Sequence, residues 1–336
     1  MFDFIPDYVF LFVFGLILLI KGGDWFVDSA SGIAKRFKLP ELLIGATVVS
    51  IGTTLPEVMT SAIAALGGSG EIAYGNAIGS IICNTSLIAA TTIAIKPGKA
   101  ERKTLIFPVA FFFGVAVFYA LNAYIFGEFA LWAGIVLLTC FVVYMIVNVL
   151  NMKKNPVALD PVDAPELAEE SGEQSGSMIK DIVFLIVGAL VIAVGADLLV
   201  DSATIIAKNL GMSESVIALT VVALGTSLPE LVTAITSLLK GHGALSLGNI
   251  IGANIFNLVL VSGAAVVLSP FTVPETSTLF GQNTSLILDI PVMLAVMALM
   301  TIPTLFRGKL ARWQGITLLA IYAAFTVMQF VFVQTV

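Results

Sequence analysis

Ten long apolar stretches constrain this chain more than any other feature of its sequence. A helix of about 20 apolar residues crosses the hydrocarbon core of a bilayer. The stretches lie near residues 8–32, 40–66, 72–94, 104–124, 128–150, 179–207, 213–239, 245–268, 285–305 and 313–334. Only 11% of the 336 residues are charged, whereas soluble domains carry roughly a quarter. We therefore predict an all-α, polytopic membrane protein with ten transmembrane helices and exclude a soluble enzyme.

Lysine and arginine collect on one side of this predicted arrangement. Of the 16 basic residues, 14 lie in the odd-numbered connections, with Lys208 alone in the even-numbered ones and Lys21 inside the first stretch. Cytoplasmic loops gather these residues, so both termini are expected outside the cytoplasm and the protein in the cell membrane. Asp3 and Asp7 precede the first stretch. A signal peptide would have a basic leader, so we interpret this stretch as a retained span.

The connection over 151–178 is the one long segment of polar composition. It carries three prolines and six acidic residues, which is typical of a solvated linker. A cation-sensing role stays open, although the carboxylates lack an EF-hand template. The linker divides the chain into predicted repeats over 1–150 and 179–336. We expect no nucleic-acid partner and a monomeric protein.

The two halves repeat each other at a spacing of 173 residues. Segment 45–63 matches 218–236 at 9 of 19 positions, and 75–87 matches 248–260 at 7 of 13. Chance similarity between apolar segments would not keep proline, glutamate, asparagine and glycine in register. Each half holds five predicted spans, an odd number, so the second half must be inverted relative to the first. Inverted repeats with a midplane substrate site are typical of secondary transporters.

Two glutamates, Glu57 and Glu230, occupy matched positions near the middle of the second and seventh spans. A carboxylate at the bilayer centre costs roughly 3 kcal/mol on insertion scales, and such residues mark ion or proton paths. Two carboxylates that face each other repel unless positive charge lies between them. The pair therefore indicates a divalent ion, several monovalent ions, or protons.

The residues around the glutamates supply further oxygen atoms. The helix faces beside them carry Ser50, Thr53 and Thr54 in the second span, and Ala223, Thr226 and Ser227 in the seventh. Pro56 and Pro229 lack the amide that would bond a carbonyl one turn earlier, so we expect kinks with freed carbonyls. Carboxylate, hydroxyl and carbonyl oxygens suit Ca²⁺, which takes about 6–8 oxygens, and Na⁺. Soft metals would lack their preferred ligands.

The third and eighth spans provide the facing wall. Asn84 and Asn257 each follow a glutamate by 27 residues, and Ser80 lies one turn before Asn84, where the second half has Ala253. For Asn76, Asn249 and Asn254, interhelical hydrogen bonding and ligand roles both stay open. The glycine pairs Gly75 with Gly79 and Gly248 with Gly252 predict close helix packing.

These motifs resemble the two α-repeats of the cation/Ca²⁺ exchanger superfamily, most closely its prokaryotic Na⁺/Ca²⁺ exchangers. They are GTTLPE at 52–57 with GNAIGS at 75–80, and GTSLPE at 225–230 with GNIIGA at 248–253. The resemblance covers nearly the whole chain. It implies a Ca²⁺ site at Glu57, Glu230, Thr53 and Thr226, Na⁺ sites that add Ser50, Thr54, Ala223, Ser227 and Ser80, and a central position at Asn84 and Asn257.

Two residues depart from the pattern of the family. Many members carry an aspartate where this chain has Asn257, which argues against K⁺ co-transport. Many carry a serine where this chain has Ala253, so one Na⁺ site loses a hydroxyl ligand. The number of Na⁺ ions exchanged per Ca²⁺ stays open.

The function predicted from these features is exchange of Na⁺ for Ca²⁺ by alternating access, with no cofactor besides the transported ions. A Ca²⁺/H⁺ antiporter, in which protons neutralise the same glutamates, and a Ca²⁺ channel are the alternatives. An enzyme is disfavoured, because His242 is the only histidine and no nucleophile–base pair or nucleotide loop is present.

A few polar residues near helix ends receive weaker predictions. Asp24 and Asp28, with Asp197 and Asp201 in the second half, either control gating or form ion pairs with Lys21, Lys35 or Lys208. Asp289 is expected to cap a helix or to lie in a helix interface. Cys83 is expected to pack in the interior.

Overall fold

The chain forms ten helices within the residues that the computed structural model describes, which are 7–37, 39–154, 178–209, 225, 227–275 and 277–335. The helices are α1 Asp7–Arg36, α2 Glu41–Leu66, α3 Gly70–Ile95, α4 Arg102–Phe126, α5 Leu131–Lys154, α6 Met178–Asn209, α7 Leu228–Leu239, α8 Gly243–Leu268, α9 Ser285–Arg307 and α10 Arg312–Phe332.

Nine of the described helices are long and apolar enough to cross a membrane, so the chain is a multi-pass membrane protein. Their bounds agree with the predicted spans to within a few residues. The exception is α7, for which only Leu228–Leu239 is described, because the earlier part of the predicted span at 213–239 lies outside the described residues. Most of the predicted linker, 155–177, also lies outside them, and its edges are helical, since α5 runs to Lys154 and α6 starts at Met178.

The described chain is nearly all helical, as predicted, and adds five short strands to the helices. They are β1 Glu128–Phe129, β2 Phe271–Thr272, β3 Ser277–Leu279, β4 Gln282–Asn283 and β5 Gln334–Thr335. Strand β1 pairs antiparallel with β2, and β3 pairs antiparallel with both β4 and β5. All of them lie in the α4–α5 and α8–α9 connections or after α10, at the end of the molecule opposite the basic loops. Strands of two or three residues are too short to show the alternation that predicts a strand.

Helices α1 and α6 pack against each other in opposite directions through matched glycines. A Cβ added to Gly15 would lie 2.8 Å from the Gly195 carbonyl oxygen, and one added to Gly188 would lie 3.0 Å from the Gly22 carbonyl oxygen. Gly15 and Gly22 correspond to Gly188 and Gly195 across the 173-residue repeat. Gly15 thus faces Gly195, the counterpart of Gly22, and Gly22 faces Gly188, the counterpart of Gly15. A contact that is self-complementary in this way is what a two-fold axis produces.

A second close contact joins α2 to α8. A Cβ on Gly45 would lie 2.7 Å from the Asn249 amide nitrogen, and one on Gly252 would lie 2.6 Å from Ala46 Cα. Gly248 lies equally close to α2, because an added Cβ would come within 2.8 Å of the Leu42 carbonyl carbon. Gly248 and Gly252 therefore have the packing role that their spacing predicts, and the close approach brings polar side chains of α2 and α8 together. The same prediction is wrong for Gly75 and Gly79, since a Cβ added to either meets no described atom within 4 Å.

Polar contacts at the basic end attach α1 to its neighbours. The ammonium group of Lys240 lies 3.1 Å from Asp24 and 2.8 Å from Asp28, which replaces the predicted pairing with Lys21 or Lys35. The side chain of Lys208, the third predicted partner, lies outside the described part of the chain. Burial lowers the pKa of Lys240, but hydrogen bonds with Asp28 and Asp24 outweigh this effect and leave the pKa raised.

Two further pairs lie at this end, of which the first joins α1 to α6 and the second joins α2 to the α7–α8 connection. Arg36 pairs with Asp181 of α6 at 3.0 Å, and the His242 Nδ1 atom lies 2.7 Å from Glu41 Oε1. Sequence reasoning missed Lys240 and His242 as partners, because both belong to the α7–α8 connection, which is distant from α1 along the chain.

We predict that Gly22→Ala destabilises the protein, because the new methyl group would lie 2.9 Å from the Ile192 amide nitrogen. Overpacking of this kind costs about 1–3 kcal/mol. Thermal unfolding of the detergent-purified protein checks the prediction. The matched control is Gly114→Ala in α4, where an added Cβ meets no described atom within 4 Å and alanine favours the helix. An unfolding temperature for Gly22→Ala equal to that of the control would contradict the packing described here.

Candidate cation site between four helices

Two buried carboxyl groups lie at the centre of the candidate site. Glu57 on α2 and Glu230 on α7 are both 0% exposed. Their carboxyl groups are close enough to interact electrostatically. The Thr54 hydroxyl donates to Glu230 Oε1 at 3.4 Å. Helix α2 therefore carries Glu57 and also a hydrogen-bond donor to Glu230. The motif copies in the two halves thus meet in space.

Several polar atoms around the pair have no hydrogen-bond partner among the described residues. They are both carboxylate oxygens of Glu57, Oε2 of Glu230, the Ser227 hydroxyl, and the side-chain amide atoms of Asn84 and Asn257. About nine in ten or more of the buried polar groups in proteins are paired. We call Glu57, Glu230, Ser227, Asn84 and Asn257 the oxygen cluster. Its orphaned acceptors are what a site for hard cations requires, since Na⁺ and Ca²⁺ bind through oxygen.

Irregular helical turns carry the two asparagines. A π-helical turn spans Asn84–Ala89 in α3 and another spans Asn257–Val261 in α8, so each begins at an asparagine of the cluster. The turn at Asn84 packs against α7, and the turn at Asn257 packs against α2 and α3. Such turns shift backbone carbonyls out of the regular hydrogen-bond ladder and are frequent at functional sites. They occur at matched positions in the two halves.

A third π-helical turn, Gly45–Val49, precedes the glutamate motif in α2. The Ser50 hydroxyl donates to the Gly45 carbonyl at 2.7 Å, and the Ser262 hydroxyl of α8 donates to the Asn257 carbonyl at 3.0 Å. Each serine hydroxyl adds a second hydrogen bond to a carbonyl five residues earlier, which also accepts from the backbone N–H of the same serine. The side-chain hydroxyls thus stabilise the irregular turns.

Asn249 connects the hydroxyl groups of α2 to α7. Its backbone carbonyl accepts from Ser50 at 2.9 Å, and its Oδ1 atom accepts from Thr53 at 3.3 Å. Its Nδ2 atom donates to the Thr233 hydroxyl at 3.1 Å. The Ser50 and Thr53 hydroxyls therefore use their protons within the protein, which leaves oxygen lone pairs to accept a cation.

The matched Asn76 and the nearby Asn254 also form interhelical hydrogen bonds. Asn76 donates to the Glu57 carbonyl at 3.1 Å and to Ser61 at 2.8 Å. Asn254 donates to the Thr85 hydroxyl at 2.7 Å. Interhelical hydrogen bonding and ion ligation were both left open for Asn76, Asn249 and Asn254. The contacts of all three are interhelical hydrogen bonds.

The prolines behave differently in the two copies of the motif. Helix α2 continues through Pro56 as part of Ser50–Leu66, so no break in the helix occurs there. In the second copy, the described helix starts at Leu228 with Pro229 in its first turn, after Ser227 with a φ of −93° and a ψ of 7°. The irregular backbone of α2 near Glu57 is therefore the π-helical turn Gly45–Val49 that precedes the glutamate. The local sequence of that turn, GATVV, carries no signal for it.

Nine of the eleven predicted site residues lie in described parts of the chain, and all nine are buried. They are Ser50, Thr53, Thr54, Glu57, Ser80, Asn84, Ser227, Glu230 and Asn257. Ala223 and Thr226 lie outside the described residues. Sequence reasoning left out Thr233, which bonds Asn249. Cys83 is buried, as predicted. Asp289 accepts from Gln329 of α10 at 2.7 Å, an interface contact as predicted.

The sequence matches one family over nearly its whole length. The family model described as "Sodium/calcium exchanger protein" matches residues 8–150 and 180–331. An uncharacterized membrane protein of Methanocaldococcus jannaschii is 37% identical over 316 residues, which cover 93% of this chain and 94% of the relative. The sodium/calcium exchanger MaX1 of Methanosarcina acetivorans is 31% identical over 349 residues, 95% of this chain and 97% of its own.

Solved structures agree with this assignment. The sodium-calcium exchanger NCX_Mj, determined after soaking with Na⁺ and Sr²⁺, superimposes with a TM-score of 0.77 at 32% identity and covers 95% of this chain and 97% of its own. The resemblance inferred from the doubled motif is thereby confirmed, and the chain belongs to the sodium/calcium exchanger family.

Proposed function

We propose that the protein is a secondary active antiporter that exchanges Na⁺ for Ca²⁺ across the cell membrane. The observation that carries this proposal is the pair of buried, interacting carboxyl groups with three oxygens that no described donor satisfies. Membership of the exchanger family and the names of the relatives support the same ions. The oxygen cluster is formed within one chain, which supports a monomeric transporter.

The chemistry of the pair explains why transport is an exchange. Two adjacent carboxylates in a low-dielectric interior repel each other strongly. One Ca²⁺ supplies the charge that neutralises both, and so do several Na⁺ ions. Moving the empty site through the membrane would carry two uncompensated charges, which is costly. The loaded forms move more readily than the empty one, and flux in one direction is thereby coupled to flux in the other.

The proposed division of the ligands follows the family pattern. Ca²⁺ binds to Glu57, Glu230, Thr53 and Thr226, and the Na⁺ sites add Ser50, Thr54, Ala223, Ser227 and Ser80, with Asn84 and Asn257 at the central position. At Ala223 the ligand is a backbone carbonyl, since alanine has no polar side chain. The burial of the described members and the free acceptors of the oxygen cluster support this division. No resident cofactor takes part.

The proposed transport cycle is alternating access by two inverted repeats, 1–150 and 179–336, with both termini outside the cytoplasm. The self-complementary contact between α1 and α6 supports the inverted relation. The family match divides at the same place, between 150 and 180. In this cycle the α1–α6 pair slides across the helices that hold the ions, while the oxygen cluster keeps its position.

We predict that Glu57→Gln and Glu230→Gln each abolish exchange, because one remaining carboxylate cannot balance either ion load. The measurement is Na⁺-gradient-driven ⁴⁵Ca²⁺ uptake into vesicles reconstituted with purified protein. Each variant should purify as a folded protein with flux equal to that of protein-free vesicles. Glu128→Gln, at an exposed residue of β1, is the matched control and should retain exchange. Robust uptake by either site variant would refute the proposal that the ions bind between Glu57 and Glu230.

A second prediction concerns the missing hydroxyl at Ala253, which is fully buried in α8 one turn before Asn257. We expect Ala253→Ser to add a Na⁺ ligand and to shift the Na⁺ activation curve of Ca²⁺ flux to concentrations a few-fold lower. Ala265→Ser, at another buried position of α8, controls for the general effect of a buried hydroxyl. Coinciding activation curves for Ala253→Ser and the parent protein would remove Ser80 and its counterpart from the Na⁺ assignment.

A third prediction separates the coupling ions. Vesicles with an outward Na⁺ gradient should accumulate ⁴⁵Ca²⁺, whereas an outward K⁺ or H⁺ gradient alone should not drive accumulation. The neutral Asn257 is the reason for expecting no K⁺ requirement, and the hydroxyl groups around the glutamates favour Na⁺ over protons. Accumulation driven by pH alone would replace the proposal with Ca²⁺/H⁺ antiport. Ca²⁺ entry that needs no counter-ion would indicate a channel.

A further inference from the structure

A cavity of about 330 Å³ lies at the basic end of the molecule, away from the oxygen cluster. The C-terminal end of α3, the α7–α8 connection, the first turns of α8 and the α9–α10 connection enclose it. It therefore lies between α3, which carries Asn84, and the adjoining ends of α7 and α8. The proposed transport mechanism assigns it no role.

Positive charge without a counter-ion lines this cavity. Lys96 and Lys99 are exposed and contribute to its wall, and no acidic residue does. Within the described ranges, neither lysine takes part in an ion pair. Glu41, which lies near the α7–α8 connection, is engaged with His242 at 2.7 Å. The residues that line the cavity thus carry net positive charge.

Two further features favour a cavity that binds an anion over one that holds only water. Ser246 is only 3% exposed and lines the cavity, and no described residue bonds its hydroxyl. Gly243 and Ala244 of the cavity wall begin the 26-residue helix α8, whose N-cap residue His242 makes no side-chain capping bond. Free amides and the positive end of the helix dipole attract a negative group. Ammonium, hydroxyl and amide donors together match the acceptors of a phosphate.

The cavity also lies at the ends of helices that are long and apolar enough to cross a membrane. Exposed apolar residues are adjacent to it along the chain, namely Ile95, Leu239 and Phe306. The same end of the molecule carries Arg102, Lys103, Arg307, Lys309 and Arg312. Basic pockets between transmembrane helices at the cytoplasmic surface bind phosphorylated headgroups. An anionic lipid is therefore one source of the phosphate, and free phosphate is the other.

We propose that this cavity binds a phosphate group and that Lys96, Lys99 and Ser246 hold it. The bound group joins the end of α3 to the α7–α8 connection and stabilises the protein at this end. The proposal does not depend on which ions the protein exchanges.

The test uses the full-length protein purified in a neutral detergent. Its unfolding temperature is measured with added phosphatidylglycerol, phosphatidylcholine or inorganic phosphate at fixed ionic strength, and native mass spectrometry counts the lipids retained. We expect an increase with phosphatidylglycerol and not with phosphatidylcholine. In Lys96→Gln/Lys99→Gln the apparent affinity should fall about 30-fold, since each of the two basic residues contributes about one kcal/mol to binding an anionic lipid surface.

The matched control is Arg102→Gln/Lys103→Gln, which removes the same charge from the neighbouring start of α4 outside the cavity wall and should keep the affinity. If inorganic phosphate stabilises as well as the lipid does, and the cavity variant loses both effects, free phosphate is a ligand too. The proposal is overturned if neither probe stabilises the protein, or if both double variants respond like the parent. Because both lysines are exposed, their replacement should leave folding intact, and the unfolding temperature without additive verifies this.

Discussion

The repulsion between the carboxyl groups of Glu57 and Glu230 is the constraint on which the rest of the structure depends. Both groups are fully buried, and their remaining acceptors have no donor among the described residues. A folded protein tolerates such a pair only when its charge is balanced. In the proposed mechanism the ions supply that balance, so the energy that would destabilise the empty site is also the energy that couples Na⁺ to Ca²⁺. A hydrogen-bonded or apolar replacement would be more stable and would not transport.

The surrounding helices hold this unfavourable pair together through contacts that only small and amide side chains allow. Gly45 and Gly252 let α2 and α8 approach closely, and Asn249 then reaches the hydroxyls of Ser50, Thr53 and Thr233. The two halves differ in the polar atoms they add. Ser50 and Ser80 of the first half correspond to Ala223 and Ala253 of the second. The hydroxyl-rich side of the cluster is therefore expected on α2 and α3, and the proposed Na⁺ sites would differ between the two halves.

Hydropathy and the doubled motif predicted most of the architecture, because both depend on properties that each segment has by itself. A span is apolar along its whole length, and a buried glutamate in a repeated motif is conspicuous in any context. The features that sequence reasoning missed depend on neighbours instead. Lys240 pairs with Asp24 and Asp28 because the α7–α8 connection packs beside α1. The π-helical turns at Asn84 and Asn257 have no residue signature, and β1 to β5 are too short to show a period. The continuous helix at Pro56 shows that a proline alone does not determine where a chain becomes irregular.

The attachment of α1 to the rest of the molecule is compatible with the proposed sliding of this helix. Its long contact with α6 passes through glycines whose backbones touch directly, so the two helices are expected to move as one body. Among the described residues, its polar contacts with Lys240 and His242 of the α7–α8 connection lie at one end, through Asp24 and Ser31. Partly exposed ion pairs contribute about 0–1 kcal/mol each, so breaking them costs little compared with exposing two carboxylates. The proposed sliding of α1 and α6 therefore requires weak contacts to open at the basic end while the strong ones, around the ions, stay intact.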